Sequence, residues 1–242
     1  MGGTYSSTDS AFSQTPMNRL YDLFIQGGPI MWPLLFLSVL SIACILERSW
    51  FWFKLLSQED RIVRDVLKAA SYDLEKAAAI ASSALNFPIA RFLLAPLKLK
   101  QPNPETFRLA MEAAGDKEFI KMRKGDKLLE TVVALAPLLG LLGTVTGLIR
   151  TFGNLDLGSA TGAGKAQSTQ GIGEALIATA TGMIVAITAL VAFRIFVTLQ
   201  AQQVDYFAEV GTELEVIYRQ FWQDRQHTEL NPLLPKDRPS QS

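Results

Sequence analysis

Charge is missing from three long stretches of this chain, and that gap decides what it can fold into. Asp22 and Glu47 bracket 24 uncharged residues, and Glu130 and Arg150 bracket 19. Lys165 and Arg194 bracket 28 residues in which Glu174 is the only charged side chain. A helix rising about 1.5 Å per residue needs roughly 20 apolar residues to cross a bilayer. Three spans fit, and a fourth does not. A soluble chain of 242 residues would scatter its charges; here they are partitioned, with 49% hydrophobic residues and a mean hydropathy of +0.20. The expected fold is all-α and integral to a membrane, with transmembrane helices over 30–53, 128–152 and 170–197 and long helical cytoplasmic extensions.

The cations set the expected topology. The segment from Lys54 to Lys127 holds 14 of the 23 Lys and Arg residues, while 151–170 holds only Lys165 and the first 29 residues only Arg19. By the positive-inside rule, 54–127 is a cytoplasmic helical loop, and 1–29 and 153–169 lie outside. The C-terminal helix and a disordered, proline-rich tail, 198–242, then lie in the cytoplasm. Trp50, Phe51, Trp52 and Phe53 form an aromatic belt where the first span exits. The N-terminus has no basic stretch leading into a short apolar core, so the first span reads as a retained anchor. Residues 17–29 read as a short interfacial helix ended by Gly27, Gly28 and Pro29.

Outside the spans the pattern is helical. Ile62, Val63, Val66, Leu67, Ala70 and Leu74 share a face at helical spacing, in a helix expected to run on to Leu85. Pro88 and Pro96 interrupt the next stretch. Asn103 and Pro104 predict an N-cap and first helical position, and that helix is expected to continue into the second span. After Arg194, a stripe of Val204, Phe207, Val210, Leu214, Ile217 and Phe221 suits packing either on the chain's own helices or between subunits.

Several function classes are excluded. A net charge of zero gives no footprint for nucleic acid. Cys44 and His227 are each the only residue of their type, so neither a disulfide framework, a metal cluster nor a triad can be assembled from them, and no cofactor is implied. The spans hold no histidine and no internal aspartate, so an intramembrane enzyme lacks its nucleophile–base or aspartate pair.

What remains is packing and one acid. Gly140, Gly143 and Gly147 fall on one face of the second span, and Ala175, Ala178, Gly182, Ala186 and Ala189 form a small-residue stripe on the third. Such faces let helices approach where lipid gives no hydrophobic drive, within a subunit and between subunits. Pro137 removes one intrahelical hydrogen bond, with a simple kink as the alternative reading. Glu174 lies ~8 Å from the middle of its uncharged run or at its outer rim, depending on where the slab ends. A carboxylate at depth costs ~2.5–3.5 kcal/mol on insertion scales and usually faces an interior, a cavity or an ion path. At 100° per residue, Thr181 lies within ~20° and Thr188 within ~40° of Glu174, making one polar stripe. Thr179 lies on a neighbouring face, where Thr144 of the second span could approach it. Each threonine could instead bond back to its own helix.

The stretches "GGPIMWPLLFLSVLSIACILERSWFWF", "LNFPIARFLLAPL", "LAPLLGLLGTVTGLIRTF" and "GIGEALIATATGMIVAI" together resemble the ExbB/TolQ branch of the MotA/TolQ/ExbB proton channel family. The resemblance covers roughly residues 28–215. It implies a homo-oligomer, a pentamer in this branch, in the bacterial inner membrane, with the N-terminus periplasmic and the C-terminus cytoplasmic. It further implies a central pore holding the single-span helices of an ExbD/TolR-type dimer, and ion flow that drives a TonB/TolA-type transducer. Glu174 matches the family's pore glutamate, Thr144 and Thr179 its pore threonines, and Pro137 its second-span proline. Thr181 and Thr188 stand where members often have an apolar residue and a proline. Their hydroxyls could also coordinate Na⁺, so a Na⁺-coupled stator is one alternative, and a passive membrane scaffold is the other.

Overall fold

The computed structural model describes residues 24–153 and 162–230, and the side chains among these except for 162–170 and 228–230. The N-terminal 1–23, the segment 154–161 and the expected disordered tail from 231 on lie outside the described residues. Residues 24–26 are helical, and among the described residues six longer helices follow in order: α1 Met31–Ala70, α2 Leu74–Ser83, α3 Pro88–Leu97, α4 Pro104–Met122, α5 Asp126–Gly153 and α6 Gly162–Leu230. Stretches within three helices are long and apolar enough to cross a membrane, one each in α1, α5 and α6.

Local sequence explains where the helices begin and stop. Pro33 sits in the first turn of α1, where a missing N–H costs no helical bond. The helix expected to run from Ile62 past Leu74 is broken at Ser71–Asp73. There the Asp73 carboxylate accepts hydrogen bonds from the Glu75 and Lys76 amides and caps α2. Pro88 opens α3, as expected, but Pro96 lies inside its last turn without interrupting it. Asn103 caps α4 by accepting from the Thr106 amide at 2.7 Å, with Pro104 behind it. The expected continuation of α4 into the second span does not occur. Gly125 adopts φ +92°, a left-handed conformation natural only to glycine, and α5 starts afresh at Asp126. No proline lies between Gly162 and Leu230, and α6 already begins inside the stretch expected to be loop up to residue 169.

The chain divides into two compact units. The first is Met1–Glu47 with Gly125–Ile195, and the second is Arg48–Lys124 with Phe196–Ser242. In the first unit, Met31, Leu34, Val132, Ala136, Val185, Ala186 and Ala189 form the buried core. Large side chains such as Trp32, Phe36, Leu138, Ile149, Leu176 and Ile184 point outward. So many large apolar side chains on the outside reverse the pattern of a soluble domain and suit a lipid or protein surround.

The second unit is a helical bundle with an aromatic spine. Phe207 of α6 packs on Phe92 and Phe119 at 4.8 and 5.1 Å, and Tyr218 stacks on Phe107 at 4.0 Å. The C-terminal stripe therefore docks on the chain's own helices, though its register differs from the expected one. Val204 is exposed and Ile217 only half-buried, while Gln203, Phe207, Val210, Leu214 and Tyr218 are buried. Spacings of 3 and 4 follow the seam closely enough to admit either residue of a pair, and the Tyr218 hydroxyl gains a bond to the Pro102 carbonyl at 2.5 Å. Trp52 of the expected aromatic belt is also buried, with Trp50 and Phe53 left exposed.

Candidate functional site

The seam between α5 and α6 is built by residues without bulk. A Cβ on Gly140 would lie 3.1 Å from Thr179 Cα, and one on Gly143 2.5 Å from Ala178 Cβ. A Cβ on Gly147 would lie 3.0 Å from both Ala175 Cβ and the Gly171 carbonyl oxygen, and one on Gly182 2.5 Å from the Ala136 carbonyl oxygen. The two small-residue faces predicted from sequence therefore meet each other inside one subunit. Pro137 lies within α5 without ending it, next to the Ala136 carbonyl that Gly182 approaches.

Among the described residues, one hydroxyl bonds across this seam. Thr179 donates to the Gly140 carbonyl at 2.9 Å, with its own Ala175 carbonyl a second acceptor at 3.3 Å. Gly140 has no side chain to cover that oxygen, which is why a neighbouring helix can reach it. The other candidate threonines bond back to their own helices. Thr144 donates to Leu141, Thr181 to Ile177 and Thr188 to Ile184, at 2.7, 2.9 and 2.8 Å. Thr144 and Thr179 therefore do not bond each other, and Thr188 is exposed. Each of these hydroxyls keeps lone pairs free to accept a bond from water.

Glu174 has a partner that sequence reading missed. Arg150 Nη1 donates to its Oε1 at 3.0 Å, which places the carboxylate beside the last turn of α5. The Glu174 side chain retains 23% of its exposure and Arg150 53%, so the pair is accessible from one side. Gly28 closes another side: its backbone has φ +71°, and a side chain there would collide with the Glu174 carboxylate. Arg150 stood out in the sequence, though nothing there fixed the pairing. It is the one cation closing the second uncharged run, and it faces the one acid of the third across a short connection. In sequence Gly28 reads as a helix stop, and nothing in its neighbours announces the close approach.

A profile of the MotA/TolQ/ExbB proton channel family matches residues 84–209. The chain belongs to that family. It is 64% identical over 213 residues to a biopolymer transport protein named ExbB-like 1 from Synechocystis sp., covering 87% of this chain and 82% of that one. It is 29% identical over 209 residues to the biopolymer transport protein ExbB of Salmonella typhimurium, covering 81% of each chain. The Tol-Pal system protein TolQ of Haemophilus influenzae is 34% identical over 132 residues, covering 51% of this chain and 57% of that protein. The membership joins a multi-pass, all-helical chain to a family of transport and channel proteins, and the profile match takes in Glu174, Arg150 and the whole glycine seam.

Proposed function

We propose that this chain is the ion-conducting stator subunit of an energy-coupling complex in a bacterial cytoplasmic membrane, and that protons cross it at Glu174. The observation that carries this reading is the carboxylate at the α5–α6 seam, accessible on one side, engaged by Arg150 and roofed by Gly28, in a member of a proton channel family. A carboxylate that exchanges its Arg150 contact for a proton can pass charge across an otherwise apolar barrier. Thr144, Thr179, Thr181 and Thr188 would hold water along the path through their unused lone pairs. The outward-facing aromatic and aliphatic side chains of the first unit support contact with lipid and with further copies, five in the arrangement proposed. An ExbD/TolR-type single-span dimer would fill the centre, and a TonB/TolA-type transducer would take up the work. In this arrangement 1–29 and 153–169 face the periplasm, and 54–127 and 198–242 the cytoplasm.

The Arg150–Glu174 ion pair also favours a second reading, a passive scaffold in which the pair is purely structural. One variant separates the two. Glu174→Gln keeps the size of the side chain and a hydrogen-bond acceptor for Arg150 but removes the titratable proton. We predict that it abolishes energised transport in the host while native mass spectrometry shows the wild-type assembly. Full transport by this variant would leave only the scaffold.

A further inference from the structure

The second unit buries an acid that the ion path does not use. Glu59 lies on the inner face of α1, between Leu55 and Val63, and retains 2% of its exposure. Facing it from α6 is Gln203, 4% exposed, whose side chain hydrogen-bonds the Glu59 carboxylate. That bond takes one donor and one acceptor, and it leaves a mismatch. Glu59 Oε1 and Gln203 Oε1 are both buried and both without a hydrogen-bond partner. Two orphaned acceptors on a single hydrogen-bonded pair are costly, because each has lost its water with no donor in return.

We infer that Glu59 and Gln203 form a proton-binding site, in which one proton on Glu59 Oε1, donated to Gln203 Oε1, closes an acid–amide pair between α1 and α6. The Gln203 amide then donates to one carboxyl oxygen while the carboxyl O–H donates to the amide oxygen. One proton satisfies both orphaned atoms and removes a buried charge. This site is separate from Glu174 and does not rest on the proposed conduction path.

The surrounding groups favour the neutral acid. Burial raises the Glu59 pKa, Gln203 pulls it down, and Asp60 pushes it up again, leaving it at about 7. Asp60 is itself bonded by the Tyr206 hydroxyl of α6 at 3.0 Å, and Glu209 acts on that tyrosine from the same helix. Arg48, also buried on α1, lies 11 residues away, ~16 Å along the axis, and donates to the Met122 carbonyl. The acid therefore titrates near neutrality in a seam of apolar side chains. Its ionisation would set a charge between α1 and α6 and loosen them, so the bundle would respond to the pH of the compartment that bathes it.

The test is infrared spectroscopy of the full-length chain in lipid nanodiscs, titrated from about pH 5 to about pH 9. The wild type should show a protonated-carboxyl C=O band that disappears with a midpoint near 7, and Glu59→Gln should lack it. Gln203→Leu is the second variant. Without the amide, the carboxyl O–H loses its acceptor and the band should shift to higher frequency. An acidic-pH wild-type spectrum without this band, or an ionised Glu59 solvated by buried water, would overturn the inference. So would a band that Gln203→Leu leaves unchanged in frequency.

Discussion

Replacing Gly182 by alanine adds one methyl group at the tightest backbone contact between α5 and α6. The new Cβ would lie 2.5 Å from the Ala136 carbonyl oxygen and 3.2 Å from Gly140 Cα. Both are backbone atoms, so no side chain can rotate out of the way. Ordinary contact would require the helices to part by about 1 Å along the seam. That separation weakens the neighbouring Gly143–Ala178 and Gly147–Ala175 contacts and stretches the Thr179–Gly140 hydrogen bond. Gly173 is the internal control, because a Cβ there meets nothing within 4 Å. Both changes replace a helical glycine by alanine and gain about 1 kcal/mol of helix propensity. Overpacking at Gly182 costs about 1–3 kcal/mol, so Gly182→Ala should be less stable than Gly173→Ala by that amount. Thermal unfolding of both variants in one detergent, followed by circular dichroism, measures the difference. If Gly182→Ala melts at or above the temperature of Gly173→Ala, the seam is not packed as described.

Further expectations follow from the hydrogen bonds and the buried acids. Thr179→Val should lose about 1 kcal/mol of stability, because it removes a hydroxyl that bonds across the seam, whereas Thr188→Val should be nearly neutral by the same melting assay. The double change of Thr181 and Thr188 to valine should lower proton flux in proteoliposomes more than Thr198→Val does, and unchanged flux would show that these hydroxyls only bond to their own helix. Arg91→Ala should destabilise the second unit by about 3 kcal/mol, since it strips Nε and Nη2 from the buried Glu118 and leaves only Lys121; adding Glu118→Leu should restore most of the loss in denaturant titrations. The two buried acids also predict opposite pH responses. Burial works to raise the Glu118 pKa, but Arg91 and Lys121 outweigh it and hold the carboxyl below its usual 4.5. Its contribution is present above that value and fades as pH falls through the folded pKa. The Glu59 pKa is raised from 4.5 to about 7, so its contribution fades as pH rises between those values, and Glu59→Gln should flatten that limb of the melting profile.

The spans and the small-residue faces were legible because both follow from the solvent. Lipid forbids charge over about 20 residues, and it rewards close backbone approach where side chains are small. The capped start of α4 was legible for a local reason, Asn103 three residues ahead of the Thr106 amide. The breaks were harder. Asp73 reads as one more polar residue on a helical surface until its carboxylate is seen capping α2, and Gly125 competes with strong helix formers on both sides. Glu174 could be singled out by its isolation, but its partner could not. Pairing with Arg150 depends on how α5 and α6 slide along their seam, which is set by the Gly–Ala contacts and not by charge spacing. Glu59 was missed because acids are common on a helix outside the apolar spans. Only the buried position between Leu55 and Val63, opposite Gln203, makes it unusual.

The central claim, that protons cross at Glu174, is tested most directly by flux. The chain is co-reconstituted with an ExbD/TolR-type single-span protein, the partner proposed above, into proteoliposomes carrying an internal pH dye, under paired proton and Na⁺ gradients. Wild type should acidify the lumen under a proton gradient alone, and Glu174→Gln, inserted and assembled to the same level, should not. Equal acidification by the two proteins would contradict the claim.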